Sequence, residues 1–359
     1  MISQVDLFLD ESELALVEKC LRDRWLTEGP YAKAFQEAIR ARTGSKHVMF
    51  APNGTLGLFL ALLGLDLEPG SEIILPTFTF YGSATAAVFA GLKPVFVDVD
   101  PATFNARASD FESAIGARTR ALMPVHVYGQ ACDVQEIVAL ARKHRLMVVE
   151  DAAQALGTTL HGKTAGTFGD IGVYSTFSDK VVTTGEGGIL VTDSDELAAR
   201  LALLRNQGRP HAGTFIHPSL GMNFRITDLQ AAIGVAQMAK LPQILADRTK
   251  KWTHYSEALR GVGDLQFMSI LPGSSIVPFR FPILTGKRDA LAKHLEASGV
   301  QTRGFFYPMH LQPKLRATPP ASLPVAEGLH ARGLCLPVHV NLTDSQMGQI
   351  TDAIRGFFK

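Results

Sequence analysis

Short, continuous apolar runs rich in β-branched residues alternate with helical stretches along the first half of the chain, and few architectures accommodate that rhythm. Ile73-Ile74-Leu75, Pro94-Val95-Phe96-Val97, Ala121 to Val127, Met147-Val148-Val149 and Ile189-Leu190-Val191 read as strands without a polar face. Asp110 to Ile115 and Asp133 to His144 read as helices between them. A strand with no polar face is covered on both sides, so the pattern predicts an α/β fold with a mainly parallel sheet flanked by helices. The 359 residues, 46% hydrophobic and 19% charged, supply the apolar material for such a core and exclude a disordered polymer. No internal period appears, which removes solenoids and propellers.

A long helix is expected from Leu229 to Asp247. Beyond it, Val277 to Leu284, Ala290 to Ser298 and a last helix from Ser345 to Phe358 read as a smaller α+β unit. The division falls near residue 240, giving a large domain over 1–240 and a small C-terminal domain over 241–359. Polar residues recur where the strands stop: Asp98 after Val97, His126, and Glu150-Asp151 after Val149. Ligands of open α/β sheets gather outside the carboxyl ends of the strands, so chemistry is expected there.

Thirty-five Lys and Arg against 34 Asp and Glu leave a formal charge of +1, with no basic excess to neutralise a nucleic acid backbone. Cys20, Cys132 and Cys335 are too far apart for a disulfide framework or a CxxC metal clip, so a reducing compartment and no metal are expected. The amino terminus lacks the basic start and apolar run of an export signal, and Leu58 to Leu67 is cut by Gly64 and closed by Asp66 and Glu68. The expected location is the cytoplasm, with no membrane segment.

Four local features carry chemistry. Asn53-Gly54-Thr55 precedes the apolar helix Leu58 to Leu63, where free backbone N–H groups would receive a phosphate; in isolation an ordinary N-cap is the better reading. Asp151, followed by two alanines, could meet a buried cationic ring nitrogen or merely cap a helix. Lys180, followed by Thr183-Thr184-Gly185-Glu186-Gly187-Gly188, would be a nucleophile toward carbonyls if its charged form were disfavoured, with hydroxyls and glycines admitting a phosphorylated aldehyde. The lysine precedes the glycines and no GxxxxGK[ST] is present, so this is not an ATP-binding loop. Gly221-Met222-Asn223-Phe224-Arg225 reads as a turn, with Asn223 able to reach a neighbouring site.

In this order the motifs resemble the DegT/DnrJ/EryC1/StrS family of nucleotide-sugar aminotransferases, which use pyridoxal 5'-phosphate. The resemblance runs nearly end to end, through Trp25 to Pro30, Asn53-Gly54-Thr55, Pro76 to Phe80, Pro94 to Asp98, Pro124 to Gly129 and Glu150 to Ala155. It continues through Lys180 with Thr183 to Gly188, Gly221 to Arg225, Tyr307-Pro308-Met309-His310 and Leu336-Pro337. It implies the aspartate aminotransferase type of fold (fold type I), with a mostly parallel seven-stranded sheet in the large domain.

Carried over by matched position, the resemblance implies that Lys180 forms the Schiff base with the cofactor and shuttles the proton, and that Asp151 keeps the pyridine nitrogen protonated. Gln154 would lie near the ring, Phe80 would stack on it, and Gly54, Thr55 and Ser175 would bind its phosphate. Asn223 would reach that phosphate from the partner subunit of a homodimer with shared sites. Thr27, Glu28, Tyr307 and His310 fall in segments that contact the sugar. Position 177 is Phe where many relatives carry His, and position 179 is Asp where many carry a small or aliphatic residue. If its side chain points the same way as that of Lys180, Asp179 would stabilise the ammonium and oppose activation.

The implied substrates are glutamate and a nucleotide-linked keto-deoxyhexose. Gly304 to His310 and the TTGEGG run are most similar to perosamine-type members, which aminate C4. Amination at C3 of a 3-keto sugar is the alternative, and a non-catalytic regulator or scaffold of the same fold is a rival from another class. A dehydratase of this fold would carry His in place of Lys180.

Overall fold

The computed structural model describes residues 1–211, 213–315 and 322–359. Seven strands form one sheet in the order His47–Ala51, Gly188–Thr192, Ile171–Ser175, Met147–Asp151, Thr119–Leu122, Glu72–Pro76 and Lys93–Val97. All run parallel except Gly188–Thr192, which opposes both of its neighbours. Alternate residues enter opposite apolar layers: Ile74, Leu122 and Val148 one, Ile73, Ala121 and Val149 the other. Both layers are needed, and that is why the strands carry no polar face.

One layer is filled by the helix Gly54–Gly64, whose Leu58, Leu60 and Leu62 are buried. Each such leucine contributes about 1.5–3 kcal/mol relative to exposure. Gly57 lets this helix close on the sheet, since a Cβ there would come within 2.9 Å of Val173 Cγ1. On the other face the helix Pro30–Thr43 sets Phe35 against Phe50, with ring centroids 4.9 Å apart.

A second, antiparallel sheet orders Gln266–Phe267, Phe281–Leu284, Gly333–Leu336 and Arg303–Gly304. The helices Arg288–Ala297 and Asp344–Phe358 cover it and share its apolar cluster. Joining the two sheets is a 31-residue helix, Asp228–Ala258, started by a reciprocal cap between Thr227 and Gln230. The Asp228 carboxylate accepts the backbone N–H groups of Gly29, Tyr31 and Ala32 and so caps the helix that Gly29, lacking a side chain, cannot cap itself.

This helix passes through residue 240 without interruption and extends well beyond the expected Asp247. Its last turns bury Tyr255 in the second apolar cluster, and Lys251 Nζ donates to the Val340 carbonyl at 2.7 Å, so tertiary packing continues what the local pattern does not. The expected strand Ala121 to Val127 is also corrected. The regular strand ends at Leu122; beyond it Val125 still bridges Asp151, whose amide donates to the Pro124 carbonyl, and the chain turns at Tyr128, whose φ is 55°. Within Val277 to Leu284 only Phe281–Leu284 is strand. His47–Ala51 and Ile171–Ser175 are strands that the sequence pattern did not single out. Among the described residues no helix is long and apolar enough to cross a membrane.

Candidate active site

Four parallel strands end on the same edge of the large sheet, and the residues that follow them line one cavity of about 590 Å³, a size suited to a small organic ligand. His47–Ala51 leads to Gly54 and Thr55, Glu72–Pro76 to Phe80 and Ser83, Met147–Asp151 to Asp151 and Gln154, and Ile171–Ser175 to Ser175 and Lys180. The second sheet closes the cavity with Phe279, Arg280, Arg303 and Phe306.

Asp151 is 5% exposed. Its Oδ2 accepts the Ser83 hydroxyl at 2.6 Å, and its Oδ1 accepts the Ala153 amide at 3.1 Å. Burial pushes its carboxyl pKa above the ordinary value; these two bonds, Lys180 and His126 pull the other way. The adjacent Glu150 plays another part. It accepts the amides of Gly166, Phe168 and Gly169 and pairs with His126 Nε2 at 2.9 Å, so both His126 and Glu150 are consumed in holding a turn. Asp98 likewise caps the helix Pro324–Arg332 through the amides of Val325 and Ala326. Of Asp98, His126, Glu150 and Asp151, Asp151 is the one that lines the cavity.

Lys180 Nζ lies 4.2 Å from the centre of the Phe279 ring and 3.5 Å from Asp179 Oδ1. Burial lowers its pKa, Asp179 opposes this, and Arg280 adds to it. The two neighbouring side chains therefore do point the same way, but Asp179 is itself held by Arg280 at 2.6 Å and Arg303 at 3.5 Å. The glycine-rich run serves differently from expectation. Thr184 bonds Thr176 at 2.6 Å, and Cβ atoms at Gly187 and Gly188 would strike Thr176 Oγ1 and the Asn53 carbonyl at 2.1 and 2.4 Å. Close backbone packing behind the lysine requires those glycines; from this run only Glu186 reaches the cavity.

Asn53 is an N-cap, accepting the Leu56 amide at 2.9 Å, and this leaves the amides of Gly54 and Thr55, first in their helix, to face the cavity beside Ser175. The N-cap reading of Asn53-Gly54-Thr55 therefore holds, and the helix start that it caps lies at the cavity. Gln154 Oε1 accepts the Tyr128 amide at 2.8 Å, which fixes the direction of its side chain. Phe80 stands at the rim, 59% exposed, with its ring 6.4 Å from that of Phe306.

The remaining expected site residues lie off this cavity. Thr27 bridges Thr227, and Glu28 makes a two-point ion pair with Arg205 at 2.5 and 3.2 Å. His310 is buried between Thr77 Oγ1 at 2.7 Å and Glu327 at 3.1 Å, while half-exposed Tyr307 sets its ring edge-on to His330. Asn223 is exposed and accepts the Arg225 amide within its own turn. Conversely, Ser83, Phe279, Arg280 and Arg303 were not foreseen. An arginine inside the apolar run Val277 to Leu284 was a usable signal; Arg303 offered none.

The donor set fits a phosphorylated pyridine aldehyde. A desolvated carboxylate with only two hydrogen bonds gains from a ring N–H⁺, free helix-start amides and a hydroxyl suit a phosphate, and a lysine whose charge is disfavoured suits an aldehyde. Comparison with known proteins agrees. The profile of the DegT/DnrJ/EryC1/StrS aminotransferase family matches residues 8–355. A GDP-perosamine synthase of Caulobacter vibrioides is 38% identical, over 96% of this chain and 95% of its own. A UDP-N-acetyl-3-dehydro-alpha-D-glucosamine 3-aminotransferase of Acidithiobacillus ferrooxidans is 37% identical, over 97% and 94%. The crystal structure of the aminotransferase TlmJ from Streptoalloteichus hindustanus superposes with a TM-score of 0.95 at 33% identity, covering 99% of this chain and 98% of that one.

Proposed function

We propose a reaction from the premise that this chain belongs to the DegT/DnrJ/EryC1/StrS aminotransferase family and is a pyridoxal 5'-phosphate-dependent sugar aminotransferase: glutamate gives up its amino group, and C4 of a nucleotide-linked 4-keto-6-deoxyhexose receives it. The observation that carries the assignment of roles is that the Lys180 amine and the Asp151 carboxylate line one cavity beside the start of the helix Gly54–Gly64, whose first amides have no partner within the helix.

The cofactor, when bound, supplies an electron sink that lets a carbon next to nitrogen lose its proton. Lys180 holds the cofactor's aldehyde carbon and, once released, moves the proton, because its amine stays beside the reacting carbon. Burial favours the neutral, nucleophilic form of that amine. Asp151 holds the proton on the ring nitrogen, oriented by Ser83 and Ala153. Gly54, Thr55 and Ser175 bind the phosphate, Gln154 presents its amide near the ring, and Phe80 covers the ring face.

Thr27, Glu28, Tyr307 and His310 are assigned to the sugar side, with His310 acting from its bond to Thr77. Asn223 serves the phosphate of a partner copy in a homodimer. What supports this is the run of exposed apolar side chains just before it, Phe215, Ile216, Leu220 and Met222. The division at residue 240 and a cytoplasmic location complete the reading.

The perosamine relative and the block Gly304 to His310 support C4, and the 37% identical 3-aminotransferase makes C3 the second reading. Incubating the enzyme with glutamate and GDP-, dTDP- or UDP-linked 3-keto and 4-keto sugars, while following 2-oxoglutarate, decides between them. Expected is release with a 4-keto sugar and new nitrogen on C4 by NMR; nitrogen on C3 replaces the first reading with the second. A colourless protein that takes up no added cofactor would favour the scaffold over both.

A further inference from the structure

Directly before Lys180 stands a carboxylate whose two oxygens are used very differently. Asp179 Oδ2 takes Arg280 Nη2 at 2.6 Å and Arg303 Nη1 at 3.5 Å. Asp179 Oδ1 is buried and has no hydrogen-bond partner, and the group nearest to it in charge terms is Lys180 Nζ, 3.5 Å away. The side chains of Asp179, Lys180 and Arg280 are 10%, 16% and 6% exposed, so water does little to screen them. Phe279 lies against both cations, its ring centre 4.2 Å from Lys180 Nζ and 4.6 Å from the Arg280 guanidinium carbon. A buried oxygen left without a donor costs free energy unless something visits it. Within reach is an amine that must be repeatedly freed.

We infer that Asp179 is a positioning residue for Lys180: its unshared oxygen holds the amine in place whenever that amine is not bonded to cofactor, and Arg280 sets how firmly it holds. The inference rests on the assignment of Lys180 as the cofactor-bearing amine. A carboxylate alone at this distance would fix the ammonium and slow its return. Arg280, by sharing the carboxylate, weakens that attraction while keeping the oxygen aimed. Other charges act on the pair from outside: Asp151 attracts the ammonium, Arg303 and buried Arg248 act on Asp179, and Glu186 lines the same cavity.

The test needs no turnover. In cofactor-free protein, the rate of Lys180 acetylation by acetic anhydride as a function of pH, read by peptide mass spectrometry, gives the amine's titration. Asp179→Asn should lower the midpoint by about one pH unit and Arg280→Gln should raise it by a comparable amount. The double variant should fall between the two. Opposite signs are the signature, because general loosening of the site would move both variants the same way. Shifts of the same sign, or none, overturn the inference. If Asp179→Asn does not fold, having left Arg280 buried and unpaired, the direction in Arg280→Gln decides: upward supports, unchanged or downward overturns. Borohydride fixation of cofactor in the wild-type holoenzyme, mapped by peptide, checks the underlying assignment separately. A label on another lysine removes that assignment whatever the titrations give.

Discussion

Around Asp151 the hydroxyls and amides are paired within one chain, from Thr79 to Ser83 to the carboxylate and on to Ala153. Before Asn223, by contrast, large apolar side chains stand in water: Phe215 is 90% exposed, Ile216 77% and Leu220 91%. The first region is complete once a single chain folds. The second buries nothing of its own, although its residues are those of a covered surface. The contrast separates what one folded chain completes from what it leaves open: the hydrogen-bonded cradle around Asp151 comes with the sheet, whereas the apolar run before Asn223 is the surface that the proposed second copy would cover.

The largest effect should come from the finished region. Lys180→Ala should fold normally yet lose turnover by about 10³-fold or more, and borohydride should no longer fix cofactor to the protein. Near-normal turnover would separate the cradle from the chemistry altogether. A smaller effect is expected on the other side. Phe215→Asp with Leu220→Asp should convert a dimer to monomers in sedimentation velocity and lower activity by about 10-fold, leaving cofactor fixation at Lys180 intact. A wild-type protein that sediments as a monomer at micromolar concentration would cancel the comparison.

The smallest effect concerns stability. Burial raises the Asp151 carboxyl pKa above its ordinary 3.8, so the folded, cofactor-free protein binds that proton more tightly than the unfolded chain does. The contribution of Asp151 to stability is therefore fully present below about 3.8 and is lost as pH rises through the folded value, leaving a cost at neutral pH. Asp151→Asn avoids that cost. Its cofactor-free form should melt about 2 °C higher than wild type at pH 7.5 and lose the advantage at acid pH. A lower melting temperature at pH 7.5 would mean that the cradle is complete even without its ligand.

The sheet was readable because burial on both faces writes unbroken apolar runs, as in Ile73-Ile74-Leu75. His47–Ala51 was not, since its first residue is polar and its apolar stretch is short; Ile171–Ser175 is interrupted by Gly172 and ends on a serine. Ala121 to Val127 misled because apolar residues persist past Leu122, where the regular strand ends and an isolated bridge from Val125 to Asp151 precedes the turn at Tyr128. The site was readable in its strand-end residues, which lie in compact local motifs. Arg280 and Arg303 approach Asp179 from the second sheet, more than a hundred residues later in sequence, and no local pattern encodes such a meeting. Glu150 and Asp151 are adjacent, yet only the alternation of the strand decides which of them looks into the cleft.

The helix Asp228–Ala258 belongs to both sheets: its first turn tethers Gly29 and Ala32, and its last turns lie under Phe281. Any tilt of the smaller layer toward the ring must consequently bend a continuous rod. Pro242 lacks an amide to give to the carbonyl of Met238, so the rod is one rung short at that level. Flexure there would carry Arg280 and Arg303 across the cleft together, as a single jaw.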